Sequence, residues 1–598
     1  MSALYKRPLI ATRTGPLFSA FPYPTKISPE VIALFIASHT KPGDTVFDGF
    51  AGSGTTGVGA LLCGNPTEAM RAYAKKLGLR VHWGARRAVL YELGVLGSVI
   101  AGTLCDPPEV DQFRREAERI LSECEGELAW MYEARDPGGN AGSIRYVVWS
   151  ELVQCANCGK SVTVWEGCVR RRPARINAKV RCPYCDRQTN LSDARRRTKI
   201  ATDELLKEGV LGRIRRPAWV YGRTGSRAWS REVNASDRSL LSRIARTSLS
   251  AHIPVVKVPW GDLYRSGYHQ GITHLHHFYT RRNLIVFSSL WAKVNSSPLR
   301  DALRFWLLSY NASHGTLMTR VVAKKAQADL VVTSAQPGVL YISGLPVEKN
   351  LFAGLRKKLH TINCAFEATA RERRLVTVVQ GSSLQTDLAD HSVDYVFTDP
   401  PFGGNIPYAE VNFINEAWLG RCTDAHDEVT ISKVQGKDTA AYESMMTRAF
   451  KEIHRVLKSD GKATVVFHSS SSAVWNALQR AYRGAKLSVQ LASVLAKAQG
   501  SFKQVTTSGS VKGDPVLLLT QDRRRRKAVT EELHPVLDEL LQLARVSPDG
   551  VELTPQRLYS RFVTYYLTKD QSVPLSAEQF YQFVAERESE TDARCPLE

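Results

Sequence analysis

Short runs of β-branched and aromatic residues recur along the chain and alternate with segments whose apolar residues repeat at helical spacing. The runs predict buried strands, and the helical spacing predicts amphipathic helices between them. One helix has well-marked ends, because Ser28 is a good N-cap, Pro29 suits the first turn and the apolar face continues to His39. This alternation predicts an α/β fold with a Rossmann-like, doubly wound sheet. The predicted strands are Thr45–Asp48, Ala88–Glu92, Leu375–Gln380, Val393–Phe397, Ala463–Phe467, Val489–Leu495 and Asp514–Leu519.

The alternating pattern stops at about residue 106 and resumes at about residue 371, so an insertion is predicted after the second strand. We expect residues 1–105 and 371–520 to form the two parts of the sheet domain. Residues 106–275 are predicted to be a basic insertion, 276–370 a helical segment, and 521–598 a small helical C-terminal appendage. A run of five cations, Arg523–Lys527, leads into the appendage. It suits a DNA contact, a protein-docking site or a solubilising linker.

The charge of the chain narrows its class of partner. Lys and Arg number 80 against 58 Asp and Glu, which gives a net charge of +22 over 598 residues. Such an excess favours a polyanion, most simply nucleic acid, and the competing interpretation is a basic surface without function. No apolar run reaches the roughly 18 residues of a membrane helix, and the N-terminus lacks the apolar core of a signal peptide. A cytoplasmic protein without membrane segments is therefore expected.

Two CxxC pairs stand out among the 11 cysteines. Cys155 and Cys158 form the first pair, and Cys182 and Cys185 form the second. This spacing is typical of structural Zn²⁺ held by four thiolates, and it suits a reducing compartment better than a disulfide framework does. The alternative is a set of unligated thiols. Because four protein ligands leave no open position, the metal is expected to be structural rather than catalytic.

Arginines crowd the same insertion, with tryptophans and a tyrosine close behind them. Basic side chains with interleaved aromatics can hold phosphates and stack on bases, so the insertion is a candidate DNA-recognition region. The alternative is a solvated face, which is the commoner fate of a charge run. The residues concerned are Arg170–Arg172, Arg175, Arg195–Arg197, Arg213, Arg215, Arg216, Trp219, Tyr221 and Trp229.

A glycine-rich loop follows the first predicted strand, over residues 49–56, and a small-residue helix follows the loop. Glycines let the backbone approach a ligand closely, so a strand, glycine loop and helix predict a nucleotide-type site. The loop has neither the dinucleotide pattern nor the lysine of a phosphate loop. Glu92 ends the second strand, where an acid can accept both hydroxyl hydrogens of a ribose. The competing interpretation of Glu92 is a surface acid.

The strand Val393–Phe397 leads into Asp399, Pro400, Pro401 and Phe402. The prolines stiffen the backbone at the carboxyl end of a strand, which is the ligand-binding edge of an open α/β sheet. The Asp399 carboxylate and the Pro400 carbonyl can each accept one N–H of an exocyclic amine. Phe402 can stack on the ring that carries this amine.

These motifs resemble those of the DNA amino-methyltransferases, which methylate adenine N6 or cytosine N4 with S-adenosylmethionine. The four residues 399–402 are similar to the catalytic D-P-P-[YF] motif, and DGFAGSGTT is similar to the motif under the methionine part of the cofactor. FPYPTK resembles an arm that contacts the cofactor from the other side. The resemblance implies a methyltransferase sheet in which the cofactor is bound by Tyr23, Pro24, Lys26, Asp48, Phe50, Gly52, Gly54, Thr55, Glu92 and Ser382.

Two further features bear on this resemblance. Many relatives have an acid where Ser382 stands, so the contact of this serine with the cofactor adenine is weaker than theirs. The order of glycine loop, VVWSEL, CxxC pairs and YTRRN is similar to that of adenine-specific DNA methylases that carry a zinc ribbon. The resemblance also implies further base contacts from the loop that contains Asn405, Tyr408 and Glu410.

The sequence thus predicts an S-adenosylmethionine-dependent DNA methyltransferase that acts on a flipped base, with adenine N6 as the favoured acceptor. The alternatives are cytosine N4, guanine N2 in RNA, or a non-catalytic DNA-binding subunit of a defence complex. DNA is the expected partner, and proteins of a restriction or phage-defence system are candidate partners.

Overall fold

The computed structural model describes residues 3–5, 9–11, 13–264, 269–325, 327–372, 374–404, 406–497, 513–521, 533–545 and 553–593. Two features from the sequence, Asn405 and the cation run Arg523–Lys527, lie outside these ranges.

An eight-stranded mixed sheet forms the centre of the molecule, which confirms the α/β class. Its order is β1-β7-β8-β6-β5-β2-β3-β4. Strand β8 runs antiparallel to β6 and β7, whereas the other neighbouring pairs are parallel. The strands are β1 (Leu9–Ala11), β2 (Thr45–Asp48), β3 (Arg87–Glu92), β4 (Val376–Gln380), β5 (Val393–Thr398), β6 (Leu457–Val466), β7 (Leu487–Lys497) and β8 (Asp514–Gln521). Each predicted strand is present, and β1 is an addition.

The strand order reverses at β2. From β2 the chain builds outward through β3 and β4 on one side, and it then returns to place β5 on the other side. The carboxyl ends of β2 and β5 therefore lie next to each other at a topological switch point. In open α/β sheets such a point opens a crevice for ligands.

Alternating side chains of the sheet enter two separate hydrophobic cores. Val46 and Val466 lie in one core together with helices α2, α3 and α5, whose bounds follow. Phe47, which follows Val46, and Val465, which precedes Val466, lie in the other core together with α13, α14 and α16. Because strand side chains point to opposite faces in turn, this division shows that helices cover both faces of the sheet.

The helices have the following bounds: α1 (Pro16–Ser19), α2 (Pro29–His39), α3 (Thr55–Gly64), α4 (Glu68–Lys76), α5 (Val95–Cys105), α6 (Val110–Leu128), α7 (Val164–Cys168), α8 (Ala235–Arg246), α9 (Arg281–Asn295), α10 (Arg300–Tyr310), α11 (Leu351–Thr369), α12 (Tyr408–Leu419), α13 (Thr439–Val456), α14 (Ser472–Gly484), α15 (Leu533–Arg545), α16 (Pro555–Thr568) and α17 (Ala577–Ala593). Helix α2 has the bounds that Ser28 and Pro29 predict. Within the described ranges, no helix is both long and apolar enough to span a membrane.

Between β3 and β4 the chain leaves the main sheet and builds a second one around the 14-residue strand Ala141–Gln154. Its other strands are Glu133–Arg135, Ser161–Thr163, Arg215–Thr224, Arg227–Glu232 and Val347–Lys349. Four two-stranded ribbons accompany it: Val169–Arg171 with Ala174–Ile176, Lys179–Arg181 with Gln188–Asn190, Thr198–Asp203 with Glu208–Arg213, and Arg320–Val322 with Val331–Thr333. The strand Val347–Lys349 comes from the segment predicted to be helical, so that segment contributes to the insertion sheet as well as helices α9 to α11.

Candidate active site

Asp48 joins the glycine loop to the D-P-P-F corner. Strands β2 and β5 pair in parallel, with Val46 opposite Tyr395, so both motifs leave the sheet at the same edge. Asp48 Oδ1 accepts hydrogen bonds from the Thr398 hydroxyl at 2.7 Å and from the Phe50 amide at 3.0 Å. Its other oxygen accepts from the Thr56 hydroxyl at 2.6 Å. One buried carboxylate therefore fixes the loop, the helix after it and the residue before Asp399.

Burial raises the pKa of Asp48, whereas the hydrogen bonds from Thr56, Thr398 and the Phe50 amide lower it. The side chain is 3% exposed, so its negative charge depends on those three donors. We conclude that Asp48 positions the two motifs and presents only a small surface to the cavity.

Both motifs line one cavity, which encloses about 960 Å³ with its open mouth included. Most of the residues predicted for the site line it: Tyr23, Pro24, Lys26, Asp48, Phe50, Gly52, Thr55, Glu92, Ser382, Asp399 and Pro401. Gly54, Pro400 and Phe402 are not among the lining residues. The arm, the glycine loop, the end of β3 and the D-P-P-F corner thus meet at a single cleft, although they lie far apart in the chain.

The two loop glycines meet different needs. Gly52 has a φ of +53°, and a Cβ there would stand 3.3 Å from the ring of Tyr23, so a glycine lets the arm and the loop approach each other. Gly54 has a φ of +78°, and a Cβ there would lie 2.7 Å from the Cα of Ala101. The contact made by Gly54 is therefore with helix α5, which explains why this glycine lies behind the cavity wall.

Glu92 caps the glycine loop from the end of β3. Its two oxygens accept the amides of Gly52 and Gly94, each at 2.7 Å. Burial raises the pKa of Glu92 to about 8. A carboxylate has about four lone-pair sites, so two remain after these bonds for donors that enter the cavity.

The N-terminal arm closes the cavity opposite the loop. The ring of Tyr23 stacks on that of Tyr408 with centroids 6.0 Å apart, and the Thr25 and Tyr408 hydroxyls are 2.8 Å apart. Lys26 also lines the cavity, but its ammonium donates to the carbonyls of Phe18 at 2.9 Å and Phe21 at 3.2 Å. Burial lowers the pKa of Lys26 to about 7. The cation therefore stabilises the fold of the arm itself.

The D-P-P-F corner is held from behind. The Tyr442 hydroxyl donates to the Pro401 carbonyl at 2.7 Å. The half-buried ring of Phe402 packs edge-on against Phe467, with centroids 5.3 Å apart. Pro400 is buried, whereas Asp399 is half-buried and borders the cavity.

Several polar residues that line the cavity carry no motif that could have identified them: Asn412, Thr423, Asp427 and Glu428. Of the loop residues expected to contact a base, Tyr408 lines the cavity. Glu410 instead accepts the backbone amides of Asp262 and Leu263, each at 2.7 Å. It thereby ties the insertion to the first turn of α12.

The four cysteines of the CxxC pairs converge in the insertion. The sulfurs of Cys155 and Cys185 are 3.6 Å apart, as are those of Cys158 and Cys182, and all four lie within 4.8 Å of one another. A tetrahedron with Zn–S bonds of about 2.3 Å has sulfur–sulfur edges of about 3.8 Å. The donor set and its size therefore fit a zinc ion. Cys168 is buried near the carbonyl of Lys179 and lies outside the cluster.

Three of the insertion arginines surround one buried carboxylate. Arg196, Arg213 and Arg215 approach the oxygens of Glu151 at 3.1, 3.3 and 3.0 Å, and Glu151 is 1% exposed. Arg171 similarly lies over the Trp219 ring, with its guanidinium carbon 4.0 Å from the centroid. These residues stabilise the insertion sheet internally, so the sequence overestimated the number of arginines available to phosphates.

The aromatic residues expected to stack on bases are also internal. The ring of Tyr221 stacks on Tyr146 at 4.4 Å between centroids, and Trp229 is 8% exposed. The arginines that do reach the surface are Arg170, Arg172, Arg175, Arg195, Arg197 and Arg216.

A second cluster, which the sequence did not indicate, joins the hairpin Thr198–Arg213 to the turn before α9. Asp203 Oδ2 lies 2.8 Å from His276 Nε2 and 2.6 Å from His277 Nε2. Burial raises the pKa of Asp203, but the hydrogen bonds from both imidazoles lower this pKa, and the net shift is downward. The Thr273 amide donates to His277 Nδ1 at 3.1 Å, so Nε2 carries the ring proton and donates to Asp203. Metal binding at Nε2 of His277 requires the opposite tautomer, so the bonds of this ring describe a hydrogen-bonded clamp between the hairpin and the turn.

Comparisons with known proteins bear on one part of this site. No curated protein matches the chain. Among solved structures, the antibiotic-resistance methyltransferase Kmr is 14% identical, with 29% of this chain and 73% of that chain covered and a TM-score of 0.16. The geranyl diphosphate C-methyltransferase from Streptomyces coelicolor A3(2) is 11% identical, with coverage of 27% and 60% and a TM-score of 0.16. Such TM-scores carry no argument about the fold. Residues 7–66, which contain the arm, the glycine loop and helix α3, match the family model of DNA methylases.

Proposed function

We propose that the protein is an S-adenosylmethionine-dependent DNA methyltransferase that modifies the exocyclic amine of a base, with adenine N6 as the favoured acceptor. The observation that carries the proposal is the single cavity shared by the glycine loop and the D-P-P-F corner. The DNA methylase match over residues 7–66 supports it, because this segment supplies the arm and the loop.

The loop side of the cavity is proposed to bind the methyl donor, which supplies an electrophilic methyl group on a sulfonium. The Gly52 and Thr55 backbone would border its methionine part, and Tyr23 with Pro24 would cover it from the arm. Glu92 has two acceptor sites left for the ribose hydroxyls, and Ser382 stands at the cavity wall for the adenine. Asp48 and Gly54 would shape the loop through contacts within the protein, Asp48 with Thr56 and Thr398 and Gly54 with Ala101.

The D-P-P-F side is proposed to hold the target base. A stacked base cannot reach the cavity, so it must leave the duplex or come from a single strand. Asp399 and the Pro400 carbonyl would accept the two amine hydrogens and aim the nitrogen lone pair at the methyl group. Phe402 would stack on the ring with the part of its surface that Phe467 leaves uncovered.

Positioning supplies most of the rate gain in this mechanism. The exocyclic amine needs no strong base before attack, because its proton can leave during or after transfer. Asp399, which lines the cavity, is our candidate acceptor of that proton. Because Asp48 holds Thr398, the residue before Asp399, the distance between donor and acceptor is set by the sheet itself.

A structural Zn²⁺ at Cys155, Cys158, Cys182 and Cys185 is part of the proposal, supported by the fit of the four sulfurs to a zinc tetrahedron. It would close the knuckle at the end of the long strand Ala141–Gln154 and add no chemistry. A thiolate site of this kind suits the reducing cytoplasm, which is the compartment we propose. Protein partners from a restriction or defence system stay a prediction.

Transfer of labelled methyl groups to unmodified genomic DNA tests the proposal, with the product nucleosides separated by chromatography. We expect N6-methyladenine from the wild type and a loss of at least about 100-fold in Asp399→Ala, with DNA binding retained. Asp387→Ala, which removes an exposed acid on the same segment, is the matched control and should transfer normally. N4-methylcytosine in the DNA, or methylguanine in a parallel reaction with RNA as the substrate, would redirect the acceptor. Equal inactivity of wild type and Asp399→Ala, with equal DNA binding, would establish a non-catalytic subunit.

A further inference from the structure

Two loops that are bonded to elements around the cavity expose large apolar side chains. Trp260 is 62% exposed in the segment 256–264, and Val434 is 46% exposed in the segment 430–437. Lys433, beside Val434, is also exposed. We refer to Trp260, Lys433 and Val434 together as the rim ridge.

The first loop is anchored to the helix that borders the cavity. Glu410, in the first turn of α12, accepts the amides of Asp262 and Leu263, each at 2.7 Å. Gly261 fits so closely on that carboxylate that a Cβ there would lie 2.2 Å from it. The ring of Tyr264 meets Trp260 edge-on, with centroids 6.0 Å apart. The exposed indole is therefore carried by a backbone that is fixed on both sides.

The second loop is anchored to the D-P-P-F corner itself. The Thr430 hydroxyl donates to the Gly403 carbonyl at 3.3 Å. A Cβ on Gly404 would stand 2.6 Å from the Ile431 carbonyl, so the two segments are in close contact. The Lys437 ammonium then donates to the carbonyls of Ala425, His426 and Glu428, each at 2.8 Å, and closes the base of the loop.

A direct bond joins the two loops. The Ser432 hydroxyl donates to Asp262 Oδ2 at 2.5 Å, two residues from Trp260 on one loop and two from Val434 on the other. A continuous set of contacts thus runs from residues 403 and 404, through Ile431 and Ser432, to Trp260. The loops that carry the rim ridge therefore have a fixed position relative to the cavity, which Asp427 and Glu428 line just before the second loop.

Single exposed apolar residues are ordinary on protein surfaces. Trp260 and Val434 differ, because their loops are anchored separately and are bonded to each other near the cavity. An exposed apolar pair held in this way indicates a binding surface. A target base leaves its neighbours unstacked when it enters the cavity, and apolar or aromatic side chains compensate for such a loss by wedging or stacking. The exposed Lys433 and the net charge of +22 favour a nucleic-acid strand over an acidic or neutral protein surface.

We propose that the rim ridge contacts duplex DNA beside the target base: Trp260 stacks on the base that the target leaves behind, and Val434 flanks it. This inference rests on the proposed function. It assigns to Trp260 the role of stabilising the opened duplex. Trp260 lies about 140 positions before the D-P-P-F corner in the sequence. The contact is needed only when a base leaves a stacked duplex. The contribution of Trp260 to the transfer rate should therefore be larger on duplex than on single-stranded DNA.

The test compares Trp260→Ala with the wild type on duplex and on heat-denatured samples of the same genomic DNA. Base–aromatic stacking of about 1–3 kcal/mol corresponds to a loss of about 5- to 150-fold in transfer rate on duplex DNA. On single strands we expect a loss of less than about threefold. Trp260→Phe should recover most of the duplex rate, whereas Leu543→Ala, which removes an equally exposed apolar side chain on α15, should change neither rate.

An unchanged duplex rate in Trp260→Ala would overturn the inference, as would equal losses on both forms of DNA. Thermal unfolding of each variant checks that the protein keeps its fold. If the wild type transfers no methyl group at all, the proposed function fails. The contact between the rim ridge and DNA is then tested by the affinities of wild type and Trp260→Ala for a fluorescent duplex. In that case, equal affinities of wild type and Trp260→Ala would overturn it.

Discussion

Replacement of Thr398 by valine tests whether the bond between the two motifs sets the geometry of the site. Valine has nearly the shape of threonine, and Thr398 is fully buried, so the change removes a hydroxyl and leaves the packing in place. The lost bond is the 2.7 Å hydrogen bond to Asp48. Hydrogen bonds to charged groups contribute about 1.5–3 kcal/mol, so we expect the free energy of unfolding to fall by about 2 kcal/mol.

The loss should depend on pH in a definite direction. Burial raises the pKa of Asp48, and the bond from Thr398 is one of those that lower it. Without that bond the pKa rises further, so the folded state disfavours the ionised carboxylate more strongly. A carboxyl whose folded pKa lies above its unfolded value loses stability as pH rises through that interval. Urea unfolding should therefore show a larger difference between Thr398→Val and wild type at about pH 8 than at about pH 5.

Catalysis should suffer more than stability does. Thr398 immediately precedes Asp399, and a displacement of about 1 Å in a reacting group can reduce the rate about 100-fold. Thr464→Val is the matched control, because Thr464 is also fully buried in the sheet and its hydroxyl bonds those of Tyr5 and Tyr395 at 3.0 and 2.6 Å. Because it removes the acceptor of the buried Tyr395 hydroxyl, it should lose about 1–3 kcal/mol with methyl transfer unchanged. Wild-type transfer by Thr398→Val would refute the idea that this bond positions the corner.

Four further substitutions test other parts of the molecule. Burial raises the pKa of Glu92 to about 8, and the ionised form is the better acceptor for ribose hydroxyls, so calorimetry should show tighter S-adenosylmethionine binding as pH rises from about 6.5 to about 8.5. Glu92→Gln should weaken binding and flatten this dependence. Gly54→Ala combines an unfavourable φ with a 2.7 Å contact to Ala101 and should destabilise the protein by more than about 2 kcal/mol in urea unfolding. Glu151→Gln removes the carboxylate between three arginines and should cost about 3–5 kcal/mol. Cys185→Ser should reduce the zinc content measured by elemental analysis from about one ion per chain to near none.

Each of these substitutions has a control or an outcome that counts against it. Gly78 has a φ of +63°, and a Cβ added there would have no atom within 4 Å, so Gly78→Ala measures the backbone strain alone. Glu208→Gln replaces an exposed acid on the neighbouring hairpin and should be neutral. A pH dependence that survives in Glu92→Gln would assign the titration to another group, and zinc retained by Cys185→Ser would exclude the four-thiolate site.

Local sequence signals predicted the elements that local chemistry controls. Helix α2 has the bounds expected from Ser28 and Pro29, because a cap and a fixed φ act within one turn. Strand β2 likewise has its predicted bounds, since a short β-branched run between turns leaves few alternatives. The cleft was also predictable in outline, because parallel strands bring the residues at their carboxyl ends to one edge.

Side-chain partners over long separations were not predictable in this way. Trp219, Tyr221 and Trp229 have the composition of a base-stacking surface, yet cross-strand pairing buries two of them and places Trp219 under Arg171. The charge of Arg196 favoured a phosphate contact, whereas the fold supplied Glu151 from 45 residues earlier. Charge and aromaticity show what a side chain can bind, but they do not show which residues of the same protein the fold places next to it.

The sequence by itself determined the α/β class, the positions of the glycine loop and the D-P-P-F corner, and the spacing of the four cysteines, because each depends on residues close together in the chain. The tertiary structure alone decided that Thr398 bonds Asp48 across 350 positions, that the Lys26 ammonium bonds carbonyls of its own arm, and that the loop carrying Trp260 is bonded to the first turn of α12. The physical reason is that a hydrogen bond or a packed ring acts over a few ångströms. Strand order and loop anchoring set such distances, and no local pattern encodes them.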